Sequence, residues 1–237
     1  MPHKRVWLLN LGIERYGAMH ELQLKLVDWR QHKRVGDMLL LLEHSPVITL
    51  GRRADEAHIL VSQEVLNREG IDVHRIERGG DATYHGPGQL VGYPILHLPS
   101  YHMGASDYMH RLEEVIARTC ADYGLRTHRR EKTIGVWVGD NKIAALGVRI
   151  KRGVTLHGFA FNIAPNMSHW SLIIPCGITD GGVTSMALEL EVPPDMDQVR
   201  ERVAAHFSEL FQIDLVPTTL EALEKSMERG AQASPGL

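Results

Sequence analysis

Cys176 is the residue most able to make and break a bond in this chain. It sits in Ile174-Pro175-Cys176-Gly177-Ile178, an irregular segment where Pro175 stiffens the approach and Gly177 lets a backbone N–H come close to a reacting carbon. That context suits either a structural thiol or a nucleophile with an oxyanion donor beside it. The other cysteine, Cys120, falls four residues after Ile116 and eight after Leu112, on the apolar stripe of a helix, where a thiol acts as a small hydrophobe. A free thiol has a pKa of about 8.5 and is mostly protonated at neutral pH, so Cys176 needs a cation or a base nearby. His85, His157, Lys142 and Lys151 are the candidates.

A second chemical signal is the run Arg78-Gly79-Gly80-Asp81-Ala82-Thr83-Tyr84-His85-Gly86-Pro87-Gly88-Gln89-Leu90. Its four glycines bring backbone N–H groups close to a ligand, and Arg78, Thr83, Tyr84, His85 and Gln89 supply directional contacts. The run reads as a ligand cradle connecting two strands. It matches neither G-x-x-x-x-G-K-[ST] nor G-x-G-x-x-G, so a simple phosphate or dinucleotide loop does not fit.

Composition narrows the class. A hydrophobic content of 43% and a charged content of 23% are those of an ordinary globular protein. The net charge of −3 argues against non-specific nucleic-acid binding. Two basic stretches, Arg126 to Lys132 (with Arg129 and Arg130) and Arg149 to Arg152, read as solvated faces or as docking sites for an acidic partner. Two cysteines without C-x-x-C argue against a zinc ribbon, a redox pair or a disulfide scaffold, and the fourteen histidines follow no metal-ligand spacing, so no metal is expected. The longest aliphatic run, Met38 to Leu42, is too short to span a bilayer, and no apolar signal core follows Met1-Pro2-His3-Lys4-Arg5. No membrane association and a cytoplasmic location are expected.

Hydrophobic periodicity supplies the elements that must hold these residues. Strands are predicted at Val6 to Leu11, Met38 to Leu42, Val47 to Leu50, Ile71 to Ile76 and Leu90 to Leu96, with further strands at Gly135 to Val138, Lys142 to Ile150, Val154 to Ile163 and Ile213 to Val216. Helices are predicted over Glu14 to Arg30, from a Ser62 cap to Gly70, from a Ser106 cap to Gly124, from Asp195 or Asp197 through Phe211, and over Thr218 to Arg229. Gly139-Asp140-Asn141 marks a hairpin turn, and Ile173 to Met186 has little helical pattern. Strands come in groups with helices between the groups, which is an α+β fold, a mixed α/β sandwich. A single catalytic domain over 1–229 is expected, with 230–237 a tail that little anchors.

Four ordered motifs now carry a resemblance: Arg78 to Leu90, Lys142-Ile143-Ala144-Ala145-Leu146-Gly147-Val148-Arg149, His157-Gly158-Phe159-Ala160-Phe161-Asn162 and Pro175-Cys176-Gly177-Ile178. Together they resemble the lipoyl(octanoyl) transferases of lipoate biosynthesis. The resemblance implies a mixed β-sheet flanked by helices, as in the catalytic domain of biotin and lipoate protein ligases. It implies transfer of an octanoyl or lipoyl group from the thioester of acyl carrier protein to a lysine of lipoyl domains, those of the 2-oxoacid dehydrogenases and the glycine cleavage H protein. Cys176 then resembles the nucleophile that forms an acyl-thioester, and Lys142 the residue that lowers its pKa. Arg78, Gly79, Gly80, Asp81, Ala82, Thr83, Tyr84 and His85 resemble one acyl-binding wall, with Ala145, Leu146, Gly147, Gly158, Phe159 and Ala160 the other. Thioester exchange is close to neutral in energy, so no cofactor is expected. The rival readings are an ATP-dependent lipoate or biotin ligase, a Cys–His hydrolase, and a non-catalytic acyl-binding module in which Cys176 is inert.

Overall fold

A computed structural model describes residues 3–131, 133–174 and 181–225. Twelve strands are formed among them: β1 (Lys4–Glu14), β2 (Met38–His44), β3 (Val47–Leu50), β4 (Asp72–Arg75), β5 (Ala82–His85), β6 (Gln89–Ile95), β7 (His128–Arg130), β8 (Thr133–Val138), β9 (Asn141–Lys151), β10 (Val154–Asn162), β11 (Gly182–Val183) and β12 (Ile213–Pro217). The helices are α1 (Tyr16–Gln31), α2 (Gln63–Arg68), α3 (Ala105–Asp122), α4 (Met186–Glu189) and α5 (Met196–Phe211), with one further helical stretch at 220–225.

The large sheet runs β12-β1-β2-β6-β10-β9-β8-β7, with β11 added beside β9. It is mixed: β1 pairs parallel with both β12 and β2, whereas β2, β6, β10, β9, β8 and β7 alternate direction. The unbroken apolar run of β2 follows from this arrangement, because the strand is covered on both faces. Leu39 and Leu41 pack with α3 and α5 through Leu112, Ile116, Val203 and Phe207. Met38, Leu40 and Leu42 pack on the opposite face with Leu26 and Val27 of α1. Cys120 is fully buried in the first of these layers, and burial pushes its thiol up to about 12, so it is inert at neutral pH, as the helical spacing predicts.

A second sheet, β4-β3-β5, packs around Ile48, Leu66 and Tyr84. Ser45-Pro46 is the point where the chain leaves the large sheet for the small one, so the two predicted strands on either side belong to different layers. The glycine run, read from sequence as a cradle between two strands, contains a strand of its own. Residues 82–85 form β5, which pairs antiparallel with β3 from Val47↔His85 to Leu50↔Ala82. Its side chains alternate, and that alternation is hidden among the glycines. Other boundaries shift slightly: α3 is capped at Gly104 rather than Ser106, and the hairpin turn is Gly139-Asp140, with Asn141 already in β9. Asp195 caps α5, its side chain accepting from the N–H groups of Asp197 and Gln198. The predicted last helix is described only to residue 225; residues 226–229 and the predicted tail 230–237 lie outside the described residues.

Candidate active site

Between the small sheet and the β9–β10 face of the large one lies a cavity of about 960 Å³. Arg78, Gly79, Gly80 and Asp81 form one side, continued by Thr83 and His85 of β5. Lys142, Ala145, Leu146 and Gly147 of β9, with Gly158, Phe159 and Ala160 of β10, form the other. The antiparallel register places Gly147 opposite Gly158 and Ala145 opposite Ala160, so small residues lie side by side on neighbouring strands. A Cβ on Gly147 would stand 3.5 Å from Arg78 Cδ and from Gly79 O, which shows how closely the glycine loop faces this wall. Two predicted wall residues lie elsewhere. Ala82 and Tyr84 occupy the other face of β5 and pack in the core of the small sheet. Tyr84 Oη is 2.7 Å from His169 Nδ1, and its ring packs edge-on against Trp170. Tyr84 therefore supports the wall from behind.

The glycine loop is held from several sides. Arg78 is buried, and its guanidinium donates to the carbonyl oxygens of Thr49 (2.8 Å) and Asp81 (2.7 Å) and to Thr49 Oγ1 (3.0 Å). The predicted ligand contact thus spends most of its donors fixing the loop's own backbone. Asp81 Oδ1 is 2.6 Å from His58 Nδ1, which ties the loop to the chain near residue 58. That chain in turn binds the approach to Cys176: Leu60 N–H donates to Leu172 O (2.8 Å) and Ile174 N–H to His58 O (2.8 Å). Cys176 itself, with Pro175 and Gly177 to Asp180, lies outside the described residues, as does Lys132. Where the chain resumes, Val183 pairs with Lys142, and Thr184 N–H donates to Lys142 O (3.0 Å).

A buried polar chain joins the two walls. His85 Nδ1 lies 2.7 Å from Gln89 Oε1, so this nitrogen carries the proton and donates. Gln89 Nε2 donates to Asn162 Oδ1 (2.9 Å), and Asn162 Nδ2 donates to Thr184 O (2.9 Å), beside Lys142. Burial, with the nearby His44 adding to it, pushes His85 down to about 3. Burial also lowers His44 to about 4, against an opposing hydrogen bond to Glu14 O, and lowers His157 to about 3. These three imidazoles are neutral at pH 7. That makes His85 and His157 poor proton acceptors, and both line the cavity as uncharged polar surface.

His157 has φ +63 inside a strand, a conformation that costs free energy for a residue with a Cβ. Its N–H donates to Gln23 Oε1 of α1 (3.0 Å), a contact that no local sequence pattern signals. The fold also gathers His20, Glu77 and His157, whose potential ligand atoms lie within 4.8 Å of one another. Glu77 is already 3.2 Å from Arg149 Nη1, and after burial the nearby Arg78 and Arg149 guanidiniums also weigh against a proton on His157.

Sequence reading missed Tyr16, Tyr93 and Met109 as cavity residues, because the periodicity that buries them against a core is also what points them at a slot. Arg52 and Arg53 line the cavity as well, their N–H groups donating to Arg78 O and Gly80 O. The basic stretches are largely engaged within the chain: Arg129 faces Glu113 and Glu114, Arg130 pairs with Asp140, and Arg149 with Glu77.

A mixed sheet, a cavity walled by small residues and a buried lysine at its edge are the features to set beside known proteins. The sequence model of the Lipoyl protein ligase A/B catalytic domain matches residues 16–208. An octanoyltransferase of Acidobacterium capsulatum is 46% identical over 219 residues, covering 86% of this chain and 89% of that protein. One from Alkaliphilus metalliredigens is 44% identical over 212 residues, covering 89% and 97%. The chain belongs to the lipoyl protein ligase A/B catalytic-domain family, among the octanoyltransferases. Solved structures agree on the fold. A lipoate-protein ligase A bound with ATP superposes with a TM-score of 0.72 at 19% identity, covering 99% of this chain and 95% of that one. A biotin protein ligase from Aquifex aeolicus gives 0.53 at 13% identity, covering 97% and 76%.

Proposed function

We propose that this chain moves an octanoyl group from the thioester of acyl carrier protein to the lysine amine of lipoyl domains, through an acyl-thioester on Cys176. The observation that carries the reading is Lys142. It is only 8% exposed, lines the slot, and is hydrogen-bonded through its carbonyl to Thr184 in the chain that leads back towards Cys176. A buried ammonium favours a thiolate beside it, because opposite charge stabilises the ionised form.

The thiolate of Cys176 attacks the donor's thioester carbonyl, forming one C–S bond as the donor's C–S bond breaks. The departing thiolate takes a proton from the Lys142 ammonium. The neutral acceptor amine then attacks the Cys176 thioester, an amide forms, and the cysteine sulfur leaves as thiolate. The proton released by the amine returns to Lys142, which restores the starting pair. The acceptor ammonium gives its first proton to solvent before it attacks, every other proton is placed by this cycle, and His85 is not required to carry one.

The slot suits the acyl group. Ala145, Gly147 and Ala160 leave room for an unbranched chain, and six buried methylenes contribute roughly 5 kcal/mol toward holding it. The test is intact-protein mass spectrometry after incubation with octanoyl-acyl carrier protein without ATP. An octanoyl mass increment on wild type, absent from Cys176→Ser, is expected. An increment that requires ATP, or none at all while transfer proceeds, overturns the proposal.

A further inference from the structure

We propose that Trp137 is a positioning residue that holds the Lys142 side chain in its cationic form, with Gly135 as the floor under the lysine stem. The inference rests on the reading of Lys142 as the residue that serves Cys176, and it adds how that lysine is kept charged in a buried place. Trp137 and Lys142 are direct partners across the β8–β9 pair, where the register shifts between Val136 and Trp137. Lys142 Nζ lies 4.8 Å from the centroid of the Trp137 ring, within range of the attraction between a cation and an aromatic face. Trp137 is 2% exposed, and its indole N–H has no hydrogen-bond partner among the described residues. The ring is therefore not held in place for a hydrogen bond, and what it offers its neighbours is its face.

Gly135 makes the approach possible. Its φ is +149, and a Cβ there would stand 3.0 Å from Lys142 Cε, 3.3 Å from Cδ and 2.9 Å from Ala144 O. A side chain at 135 would push the stem off the ring. The glycine's own position is set from α3, where buried Glu113 accepts its N–H through Oε1 at 3.0 Å. Glu113 Oε2 faces Arg129 Nε at 3.3 Å, so this carboxylate is matched by an arginine. A second cation shares the ring: Arg130 Cζ lies 4.1 Å from the Trp137 centroid, with Arg130 Nη2 2.7 Å from Asp140 Oδ1. Among the described residues, the charged groups that meet Trp137 or Gly135 beside the lysine include Arg130 of β7, with Asp140 of the hairpin turn paired to it, and Glu113 of α3, with Arg129 of β7 paired to it, while Arg52, Arg53, Arg78 and Asp81 line the same cavity. Arg130 opposes the ammonium, whereas the ring supports it.

Opposite signs follow for the two neighbours. Removing the ring withdraws support from the ammonium, so Lys142 in Trp137→Leu gives up its proton at a pH about one unit lower than in wild type. Trp137→Phe keeps a weaker aromatic face and moves the midpoint about half as far in the same direction. Removing Arg130 takes a like charge away, so Arg130→Ala moves the midpoint upward. The measurement is a carbon-13 NMR titration of the lysine ε-carbons in the full chain, with the Lys142 signal assigned by its loss in Lys142→Met. Thermal melts establish that each variant is folded. Should Trp137→Leu fail to fold, Trp137→Phe and Arg130→Ala carry the test, since one replaces ring by ring and the other lies at the partly buried edge of the sheet. Downward movement in the Trp137 variants and upward movement in Arg130→Ala support the proposal. Midpoints equal to wild type in the folded variants overturn it. The titration reads the lysine directly, so its result stands apart from the reading of Lys142 as catalytic, which fails instead if Lys142→Ala acylates Cys176 at the wild-type rate.

Discussion

Lowering the pH from 7.5 to 5.5 sets the fold against its own neutral imidazoles. His44, His85 and His157 are held down at about 4, 3 and 3, chiefly by burial, whereas each ordinarily takes up a proton near 6.5. The folded pKa lies below the unfolded one, so the unfolded chain binds more protons in this window. Stability is therefore fully present above about pH 6.5 and is lost as the pH falls towards the folded values. At pH 5.5 an unfolded histidine with a pKa near 6.5 gains about 1.4 kcal/mol by protonation, and three gain about 4 kcal/mol. This figure hardly depends on how far each folded value is depressed, since all three are well below 5.5. Repulsion between the neighbouring rings only makes folded-state protonation harder. For a domain whose total stability is about 5–15 kcal/mol, the loss is large. Urea unfolding at pH 7.5, 6.5 and 5.5 reads it as a fall in midpoint of roughly 1.3–2 M, at an unchanged slope of about 2–3 kcal/mol/M. His85→Gln should reduce the difference between pH 7.5 and 5.5 by about a third, whatever its effect at pH 7.5. A midpoint that moves less than about 0.5 M in wild type, or an identical pH response in His85→Gln, would refute the reasoning.

Gly147→Leu should slow octanoylation of Cys176 by about 100-fold or more while leaving the melting temperature nearly unchanged, because its side chain enters the slot opposite Arg78 and Gly79; undiminished octanoylation in a time course followed by mass spectrometry removes Gly147 from the wall. Gly158→Leu should instead unfold the protein, since a Cβ there would stand 2.1 Å from Gly92 O, and a normal melt would contradict that packing. Lys142→Ala should slow acylation and move the alkaline rise of its pH–rate profile upward, as the thiol returns towards about 8.5; an unmoved profile excludes Lys142 from thiol activation. Asp37→Ala should cost about 3–5 kcal/mol in urea unfolding, because it strands Arg30, 2.6 Å from Asp37 Oδ1, and the Tyr101 hydroxyl, 2.7 Å from Oδ2; a loss below about 1 kcal/mol would show the network to be dispensable.

What was legible in the sequence divides along physical lines. Elements with a clean period were legible: the stripe of α3 through Leu112, Ile116 and Cys120, the strands β9 and β10, and the Asp195 cap of α5 all lie where the pattern puts them. The pattern failed where glycine punctuation masks a period of two. In β5, Thr83 and His85 face the slot while Ala82 and Tyr84 face the core of the small sheet, and a run read as one loop could not be divided that way. It failed again where a contact joins distant elements. Nothing near Gln23 or His157 in the chain announces that one pins the backbone of the other, and nothing near Trp137 marks it as more than a core aromatic.

The glycines show the same division at closer range. Sequence reading treats the small residues of β9 and β10 as one wall that leaves room for an acyl chain. In the fold their roles separate according to what stands where a Cβ would be. At Gly147 that position meets the glycine loop at ordinary contact distance, so the missing side chain sets the width of the slot. At Gly158 it meets the backbone of β6, so the missing side chain lets two strands pair closely. At Gly135, which no site motif includes, it meets both the Ala144 carbonyl of β9 and the stem of Lys142. Substitution at these three positions should therefore read out differently: in acyl transfer for Gly147, in folding for Gly158, and in both stability and the titration of a lysine for Gly135. A Gly135→Ala variant that folds should shift the Lys142 midpoint downward like Trp137→Leu, because it displaces the ammonium from the same ring. A folded Gly135→Ala with the wild-type midpoint would mean that the stem does not need this floor.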